Sequence, residues 1–314
     1  MHPDPPARPP AQSDVCAVLV AYHPDDGFPA RVAAIAAQVG ATFIIDNGST
    51  DEELAGLREL AALPALTLIR NFANLGIARA LNIGARHALA GGYAWALLLD
   101  QDTRVDPDMV ARLIAVYGSS RLDGRVAAIG SRYRDPTGRA MDALRLEARG
   151  EDWQEVESVI TSGSLLSLAA YRVVGPFRDD FFIDHVDTEY CFRARAAGYR
   201  VLETVLPLMS HSVGAPTAHR LLWSTTWTTN HSPDRRYYIA RNNTVLLREY
   251  GTSGRGPWQL KSIVRCLRLC KRIVYFEDDK LAKILAVMQG WWDAMRGRMG
   301  PRRRHAVKPP TPHA

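Results

Sequence analysis

The sequence predicts an α/β protein whose central sheet is Rossmann-like, open and mostly parallel, and flanked by helices. Two observations support this class. Short apolar runs with the length of a strand alternate with helix-forming segments over the first 130 residues, at a spacing of about 25 residues. Each run also ends in polar or turn-forming residues, at the place where ligands bind in parallel sheets. The residues that follow the runs are therefore the first candidates for a functional site.

Five apolar runs predict the strands of this region. In order, they are VCAVLVAY (15–22), ATFIID (41–46), LTLI (66–69), AWALLL (94–99) and RVAAIG (125–130). The helices between them are predicted from composition and from end signals. They are an Ala-rich segment over 28–38, a segment to about residue 62 opened by the capping box of Ser49 and Thr50 with Glu52 and Glu53, a helix over 76–90 ended by Gly91-Gly92, and a helix begun by Asp106-Pro107.

Further strands and helices are predicted in the second half of the chain. Residues 131–157 are polar and are interpreted as an insertion or a loop over the site, whereas 158–171 predict a buried strand that runs into a short helix. A helix over 186–197 ends at Gly198, and a strand follows over 199–205. Helical segments are then predicted over 233–250, 257–276 and 281–295, and the last two each carry an apolar stripe.

Composition indicates a globular protein of one large or two modest domains. Of its 314 residues, 47% are hydrophobic and 23% are charged, which excludes a wholly disordered or collagen-like chain. No apolar run approaches the ~18–20 residues that span a bilayer. The start of the chain has no apolar signal core, and the four cysteines have no disulfide-scaffold spacing, so a cytoplasmic location is expected.

Charge is distributed unevenly along the chain. Residues 255–314 contain 14 Lys and Arg against 4 Asp and Glu, a net charge of +10, which leaves −4 for the rest of a chain whose total is +6. Such a segment is typical of proteins that contact anionic lipid or nucleic acid. The expected organisation is a disordered Pro-rich leader (1–13), an α/β domain (14–250), a basic amphipathic helical region (251–300) and a disordered basic tail (301–314).

Three acidic residues follow predicted strands. Asp100 and Asp102 end the fourth strand, and two close carboxylates repel each other unless a hard cation such as Mg²⁺ or Mn²⁺ neutralises them. A strand-end turn with solvated acids is the alternative. Asp46 ends the second strand. It is a candidate to accept a hydrogen bond from the imide N–H of uracil or thymine, or to make only an Asx turn with Asn47 and Gly48.

The segment after the third strand offers Asn74, Arg79 and Asn82 as residues that face the ligand crevice, with a polar helix face as an equally good reading. Neither GxGxxG nor GxxxxGK[ST] occurs in the sequence, so a dinucleotide site and a P-loop are both unsupported.

Asp184, Asp187 and Glu189 cluster at the start of the helix predicted over 186–197. Helix capping and the helix dipole explain one acidic residue at a helix start. Three acidic residues are more than capping requires, so one of them is a candidate general base. His211 follows a strand-like segment and, taken alone, is more typical of a structural histidine than of a metal ligand.

Six short motifs occur in a familiar order. They are VLVAYHP (18–24), FIIDNGSTD (43–51), RNFANLGIARALNIG (70–84), LLLDQDTRV (97–105), FFIDHVDTEYCFRARAAGY (181–199) and SHSVG (210–214). Through these motifs the chain resembles family 2 glycosyltransferases of the GT-A fold, and most closely their bacterial rhamnosyltransferase branch. The resemblance covers about residues 15–250. Each motif is weak alone, whereas six in the family's order are specific.

The resemblance implies a role for each site residue. Contacts with the donor are implied for Tyr22, Asp46, Asn47, Asn74, Arg79, Asp100 and Arg241, with Tyr22 and Asp46 on the pyrimidine base. The implied metal ligands are Asp102, Asp100 and His211. Asp187 matches the catalytic base, and Asp184 and Glu189 would be supports or acceptor contacts. Val186 stands where many family members have Glu, so the choice among the three acids stays open.

The implied reaction is a single inverting displacement that uses a divalent metal, Mg²⁺ or Mn²⁺. The donor would be dTDP-L-rhamnose. The acceptor would be a saccharide linked to polyprenyl diphosphate, for a surface polysaccharide such as O-antigen. The basic amphipathic helices would hold the protein on the anionic inner face of the cytoplasmic membrane. The alternative is that their apolar stripes pack on the protein itself or on a second subunit.

Other functions compete with this interpretation. A UDP-sugar transferase acting on galactofuranose or a hexose is the nearest, and a non-catalytic binder of nucleotide sugar or polysaccharide is a second. A sugar-1-phosphate nucleotidyltransferase would need a Gly-rich, Arg-containing loop after the first strand, where this chain has AYHPDDGFP. A nucleic-acid partner is not expected, because the body is acidic and its aromatic residues do not alternate with basic ones.

Overall fold

A computed structural model describes residues 10–57, 65–122, 124–134, 152–211, 217–221, 224–251 and 256–302. The chain forms two compact units. The first unit comprises Met1–Phe177 and Val186–Pro216, and the second comprises Arg178–His185 and Thr217–Ala314. Most of the predicted leader and tail, the end of the helix predicted to residue 62 and the middle of the loop predicted over 131–157 lie outside the described residues.

The first unit is built on a mixed sheet of nine strands. The strands are β1 (Val15–Ala21), β2 (Ala41–Asp46), β3 (Leu66–Arg70), β4 (Trp95–Asp100), β5 (Arg104–Val105), β6 (Val126–Arg134), β7 (Trp153–Glu155), β8 (Ser164–Ser167) and β9 (Arg200–Ser210). Their order is β3-β2-β1-β4-β8-β6-β9-β5, with β7 paired to β9. The four strands from β3 to β4 are parallel, as predicted.

The other half of the sheet departs from the parallel prediction. β8 lies between β4 and β6 and is antiparallel to both, and β5 and β7 are antiparallel to β9. The run over 158–171 correctly predicted a strand followed by a helix, but an apolar run carries no information about strand direction. The result is a sheet whose candidate metal residues follow β4 and β9.

Within the described residues of the first unit, five helices pack on this sheet. They are α1 (Phe28–Ala36), α2 (Ile77–Ala90), α3 (Met109–Ser120), α4 (Leu168–Val174) and α5 (Val186–Ala196). The central strands β1 and β2 are buried along their whole length, and their side chains contribute to a core with α1 and α3. The capping box forms as predicted, since Thr50 and Glu53 each accept the other's backbone N–H. The described part of that segment nevertheless continues as a 3₁₀ turn at Ala55–Leu57.

The described part of the second unit contains a two-stranded hairpin and three helices. The hairpin is β10 (Thr217–Leu221) with β11 (Ser224–Thr228), and the helices are α6 (Pro233–Tyr250), α7 (Gly256–Phe276) and α8 (Lys280–Met295). α6 and α8 approach closely at Gly290, where a Cβ atom would lie 2.5 Å from the carbonyl oxygen of Tyr237. α6 therefore packs with the C-terminal helices within one compact unit. The boundary predicted at residue 250 stays a prediction.

A buried ionic cluster ties the helices of the second unit together. Glu277 lies between Arg236 of α6 and Lys283 of α8, and all three side chains are almost fully buried. Breaking such a pair leaves an uncompensated buried charge, so we expect the loss of one partner to destabilise the packing of these helices. Within the described residues, no helix combines the length and the apolar character needed to cross a bilayer.

Candidate active site

The three predicted metal ligands lie together in the first unit. Asp100 ends β4, Asp102 lies in the turn that follows, and His211 comes directly after β9. The His211 Nε2 atom is 3.9 Å from Asp100 Oδ2, and its Nδ1 atom is 3.4 Å from Asp102 Oδ1. One ligand atom from each residue lies within 4.8 Å of the other two. Two carboxylates and one imidazole at this separation form a donor set that suits Mg²⁺ or Mn²⁺.

Two hydroxyl residues support this group, and the sequence analysis missed both. Thr103 Oγ1 is hydrogen-bonded to Ser162 Oγ at 2.5 Å and lies 3.3 Å from His211 Nδ1. Ser162 Oγ also accepts the backbone N–H of Asp100 at 3.2 Å. Partners of this kind orient the ligands of metal sites. Ser162 is brought in from the segment before β8, so no local sequence pattern could have indicated it.

Asp46 forms the Asx turn, one of the two alternatives that its sequence allowed, and its contact with a pyrimidine base stays a prediction. Its Oδ1 atom accepts the backbone N–H of Ser49 at 3.0 Å, which is the Asx turn. Its Oδ2 atom is buried and has no hydrogen-bond partner among the described residues, although Arg70 Nε lies 3.6 Å away. A buried acceptor without a donor is costly, and a ligand N–H would relieve that cost.

The loop after β3 is held in place by Asn47. The side chain of Asn47 donates to Asn74 Oδ1 at 3.1 Å and accepts from Asn71 Nδ2 and from the backbone N–H of Leu75. Gly48 lies against this loop with a φ of +109°, and a Cβ atom there would be 3.0 Å from the backbone of Ala73. In this structure Asn47 and Asn74 thus fix the loop itself. Their contact with a donor stays a prediction.

Of the other two residues suggested for this loop and helix, Arg79 is exposed in the first turn of α2, whereas Asn82 is buried. The Asn82 side chain donates to the carbonyl oxygen of Phe177 and accepts from the backbone N–H of Phe177 and the hydroxyl of Tyr171. The suggestion that Asn82 faces a crevice is wrong, because all of these contacts are internal packing contacts of the first unit.

Gln101, the middle residue of the Asp-Gln-Asp triplet, holds the loop after β1. Its side-chain carbonyl accepts the backbone N–H of Tyr22 at 2.6 Å, and its amide nitrogen donates to the carbonyl oxygen of Tyr22 at 3.0 Å. The Tyr22 ring is left exposed beside His23, with 4.2 Å between the ring centroids. The triplet therefore supplies two candidate ligands and one positioning residue.

Asp187, the predicted base, lies in the first turn of α5. Its two carboxylate oxygens accept the backbone N–H groups of Thr188 at 2.7 Å and of Thr161 at 3.0 Å. Burial raises the pKa of this carboxyl above its ordinary value, while the two N–H groups act in the opposite direction. A raised pKa makes Asp187 a better proton acceptor than an exposed aspartate.

The other two acids of the cluster are engaged in ion pairs. Glu189 is buried and paired with Arg193 at 2.9 Å, and the same guanidinium donates to the carbonyl oxygens of Val174 and Pro176. Asp184 belongs to the second unit, where it pairs with Arg235 at 3.3 Å. Of the three acids, only Asp187 is not paired with an arginine among the contacts of the described residues, which favours it as the base.

Arg241 lies fully buried on α6 in the second unit. Its guanidinium donates to the carbonyl oxygens of Asp180, Phe181 and Gly300, and its Nε atom donates to Asn242. In this structure the side chain holds the segment before α5 in place. The donor contact predicted for Arg241 has no support in this geometry, because none of its side chain is exposed.

The comparisons with known proteins agree with this architecture. Over 252 residues the chain is 29% identical to the dTDP-rhamnosyl transferase RfbF of Shigella flexneri, covering 76% of this chain and 81% of that protein. A mannosyltransferase from Pyrobaculum calidifontis, solved with GDP-Man and Mn²⁺, is structurally similar, with a TM-score of 0.57 at 15% identity over 92% of this chain and 89% of that chain. TarS of S. aureus, residues 1–349, has the same TM-score at 12% identity, covering 90% and 81%.

The fold and these relatives define the class of protein: the chain is a glycosyltransferase with the GT-A fold. Residues 18–167 match the family described as glycosyl transferase family 2. The matched segment includes Asp46 and both aspartates of the triplet. The predicted fold and enzyme class are thereby confirmed.

Proposed function

We propose that this glycosyltransferase transfers L-rhamnose from dTDP-L-rhamnose to a saccharide acceptor, with inversion at the anomeric carbon. The observation that carries the proposal is the group of Asp100, Asp102 and His211, formed in a chain that also keeps a buried carboxylate oxygen at Asp46 with no hydrogen bond among the described residues. The choice of donor is supported by the similarity to an enzyme named as a dTDP-rhamnosyl transferase.

Asp100, Asp102 and His211 would hold a divalent cation. When bound, the cation would offset the negative charge on the diphosphate of the donor. Thr103 and Ser162 orient two of these ligands before any metal arrives, because their hydrogen bonds reach His211 and the backbone of Asp100. Mg²⁺ and Mn²⁺ both fit two carboxylates and an imidazole.

Asp46 Oδ2 would accept the N3–H of the pyrimidine base, and the exposed ring of Tyr22 would contact the face of that base. Asn74 and Arg79 would lie along the rest of the nucleotide. Uracil and thymine share the N3–H group, so this contact also allows a UDP-sugar as the donor. A UDP-sugar transferase acting on galactofuranose or a hexose is therefore the second candidate function.

Asp187 would take the proton of the acceptor hydroxyl as that oxygen attacks the anomeric carbon. Its Oδ2 and Oδ1 atoms are already held by backbone N–H groups, which fixes the direction of the carboxylate. A positioned base contributes about 10²–10⁴-fold in rate.

The proposed acceptor is a saccharide linked to polyprenyl diphosphate, used for a surface polysaccharide at the inner face of the cytoplasmic membrane. The basic character of residues 255–314 supports a place of action next to anionic lipid.

The first experiment is calorimetry of dTDP and UDP binding, with Mn²⁺ and then with EDTA. We expect dTDP to bind more tightly than UDP, and only with metal. In the variant His211→Ala, the addition of Mn²⁺ should no longer increase the affinity for dTDP. Tighter binding of UDP would move the donor to a UDP-sugar, and no binding of either nucleotide by folded protein would reject the assignments of Asp46 and the metal group.

A transfer assay with dTDP-L-rhamnose separates an enzyme from a non-catalytic binder. Asp187→Asn should retain dTDP binding and lose about 10²–10⁴-fold in transfer rate. Unchanged transfer by this variant would show that Asp187 is not the base.

A further inference from the structure

The second unit leaves an apolar stripe exposed along the whole of α8. Its members are spaced alternately by four and three residues, so they fall on one side of the helix. Each is between 55% and 72% exposed: Leu281, Leu285, Met288, Trp292 and Met295. Single exposed apolar residues are common, but a continuous stripe of large ones marks an interaction surface.

A cleft between α7 and α8 opens beside this stripe. Its volume is about 570 Å³, and its walls are almost wholly apolar. Ile273 and Val274 line it from α7, and Ile284, Val287 and Trp291 line it from α8. The floor at Ile273 is fully buried, whereas Val274 and Trp291 at the rim are exposed. Both helices belong to the same unit, so the cleft is formed within one compact body.

The charges around this surface are mainly positive. Exposed cations lie on both helices and just after them: Arg268, Lys271, Arg272, Lys280, Arg296 and Arg298. The guanidinium of Arg296 lies 4.1 Å from the centre of a Trp292 ring. Glu277 and Asp293 are buried and paired with basic residues, which leaves Asp278 and Asp279 at the turn as the exposed acids of this region.

The positive charges favour one of two possible partners for this surface, a second copy of the chain or an anionic bilayer. A second copy of the chain docked through the same stripe would bring like cations together, with few acids to pair with them. An anionic bilayer meets the same cations with opposite charge, and tryptophan, which this surface carries at 291 and 292, is enriched at membrane interfaces. Charge complementarity therefore favours an anionic lipid surface.

We propose that α7 and α8 form a membrane-binding element in which the stripe on α8 enters the interface of an anionic bilayer and the cleft holds one acyl chain of an anionic phospholipid. The proposal deepens, and depends on, the membrane location proposed above. It names the residues and the lipid involved. Neither the donor nor the metal takes part in it.

Vesicle binding tests the stripe with no nucleotide present. The full-length protein should bind vesicles containing phosphatidylglycerol and should bind neutral phosphatidylcholine vesicles much more weakly. Leu285→Glu should weaken binding at least about tenfold, since it replaces a buried apolar contact by a charge. The matched control is Val173→Glu on α4 of the first unit, a residue that is 70% exposed, and it should bind as the parent does.

Retained lipid tests the cleft. When the protein is recovered from phosphatidylglycerol vesicles, native mass spectrometry should show one phosphatidylglycerol molecule bound per chain. Met288→Trp narrows the cleft but keeps the stripe apolar, so it should retain vesicle binding and retain less bound lipid. Circular dichroism of each variant confirms that it is folded.

Three outcomes would overturn the proposal: equal binding to neutral vesicles, undiminished binding by Leu285→Glu, or a dimer in light scattering that Leu285→Glu dissociates. The last would assign the surface to a second copy. Calorimetry of dTDP on the same preparations keeps the two proposals separable. Normal dTDP binding without vesicle binding rejects only the membrane element, and the reverse result rejects only the donor site.

Discussion

At Asp187, burial raises the pKa of the carboxyl group and hydrogen bonds from backbone N–H groups lower it. Burial dominates and raises the pKa of the group above that of an ordinary aspartate, which is about 3.9. A carboxyl whose pKa is raised by folding stabilises the fold when protonated. That contribution is present below the unfolded pKa and is lost as the pH rises through the folded pKa.

This sign gives a prediction for stability. The free energy of unfolding of the wild type, minus that of Asp187→Asn, should fall as the pH rises from 4 toward 7, by about 1.4 kcal/mol for each unit by which the pKa is raised. Urea unfolding of both proteins at several pH values in EDTA measures the difference. A difference that stays flat, or rises with pH, would contradict the raised pKa.

Asp46 Oδ2, which makes no hydrogen bond within the described residues, gives a second prediction, for nucleotide affinity. In Asp46→Asn the amide oxygen keeps the Ser49 hydrogen bond, so the NH₂ group takes the place of Oδ2 and meets the N3–H of the base donor to donor. We expect nucleotide affinity to fall by about 1–3 kcal/mol, or roughly 10- to 100-fold. Calorimetry with dTDP measures it, and Glu52→Gln, an exposed acid of the same loop, is the control. Equal loss in both variants would point to loop damage instead.

Sequence reasoning performed unevenly at the scale of single residues. It suggested Asp100 and Asp102 as cation ligands from the residues themselves, whereas His211 was implied as a ligand only by the family resemblance, and the structure places the three side chains together. It missed Ser162 and Gln101, since a hydroxyl or an amide carries no signal until its partner is known. It also placed Asn82 in a crevice, where the structure uses its polar side chain to satisfy buried backbone groups.

At the scale of elements, the hydrogen bonds of Asn82 give a prediction for the stability of the first unit. The Asn82 side chain makes three buried hydrogen bonds that join α2 to Tyr171 in α4 and to the backbone of Phe177 after α4. Asn82→Ala should lower the free energy of unfolding by about 2–3 kcal/mol, because the peptide groups of Phe177 are left unpaired. Chemical denaturation measures the loss, with the exposed Arg86→Ala on the same helix as the control. A loss below that of the control would show that water replaces the amide.

Apolar runs located most of the strands and helices of the chain, with ends that differ by a few residues. Strand direction and neighbours in the second half of the sheet were not accessible from the sequence. β8, for example, pairs with β4 and β6 in register at Leu165 and Leu166, and neither partner is adjacent to it in sequence. Such pairings depend on the packing of the whole sheet, which no local pattern encodes.

At the scale of the whole molecule, α6 lies in one compact unit with α7 and α8, and the boundary predicted at residue 250 can be tested by truncation. A chain that ends at 250 would expose the face of α6 that carries Tyr237 and Arg236, and would remove Asp293 and Glu277, to which these residues are bonded. We expect the shortened chain to be insoluble or rapidly proteolysed. Supplying residues 251–314 as a separate chain should restore part of its stability. A shortened chain with cooperative unfolding and full helix content would instead support the predicted boundary.

The paired hydrogen bonds between Gln101 and Tyr22 determine which of these two positions can accept substitutions. The side chain of Gln101 bonds to the backbone of residue 22 and not to its ring, so the side chain at 22 is free to change without disturbing the loop. Position 101 has no such freedom, because it must present one acceptor and one donor at a fixed reach, which Glu and Lys cannot do. Directed evolution toward other nucleobases should therefore accept many residues at 22 while retaining glutamine at 101.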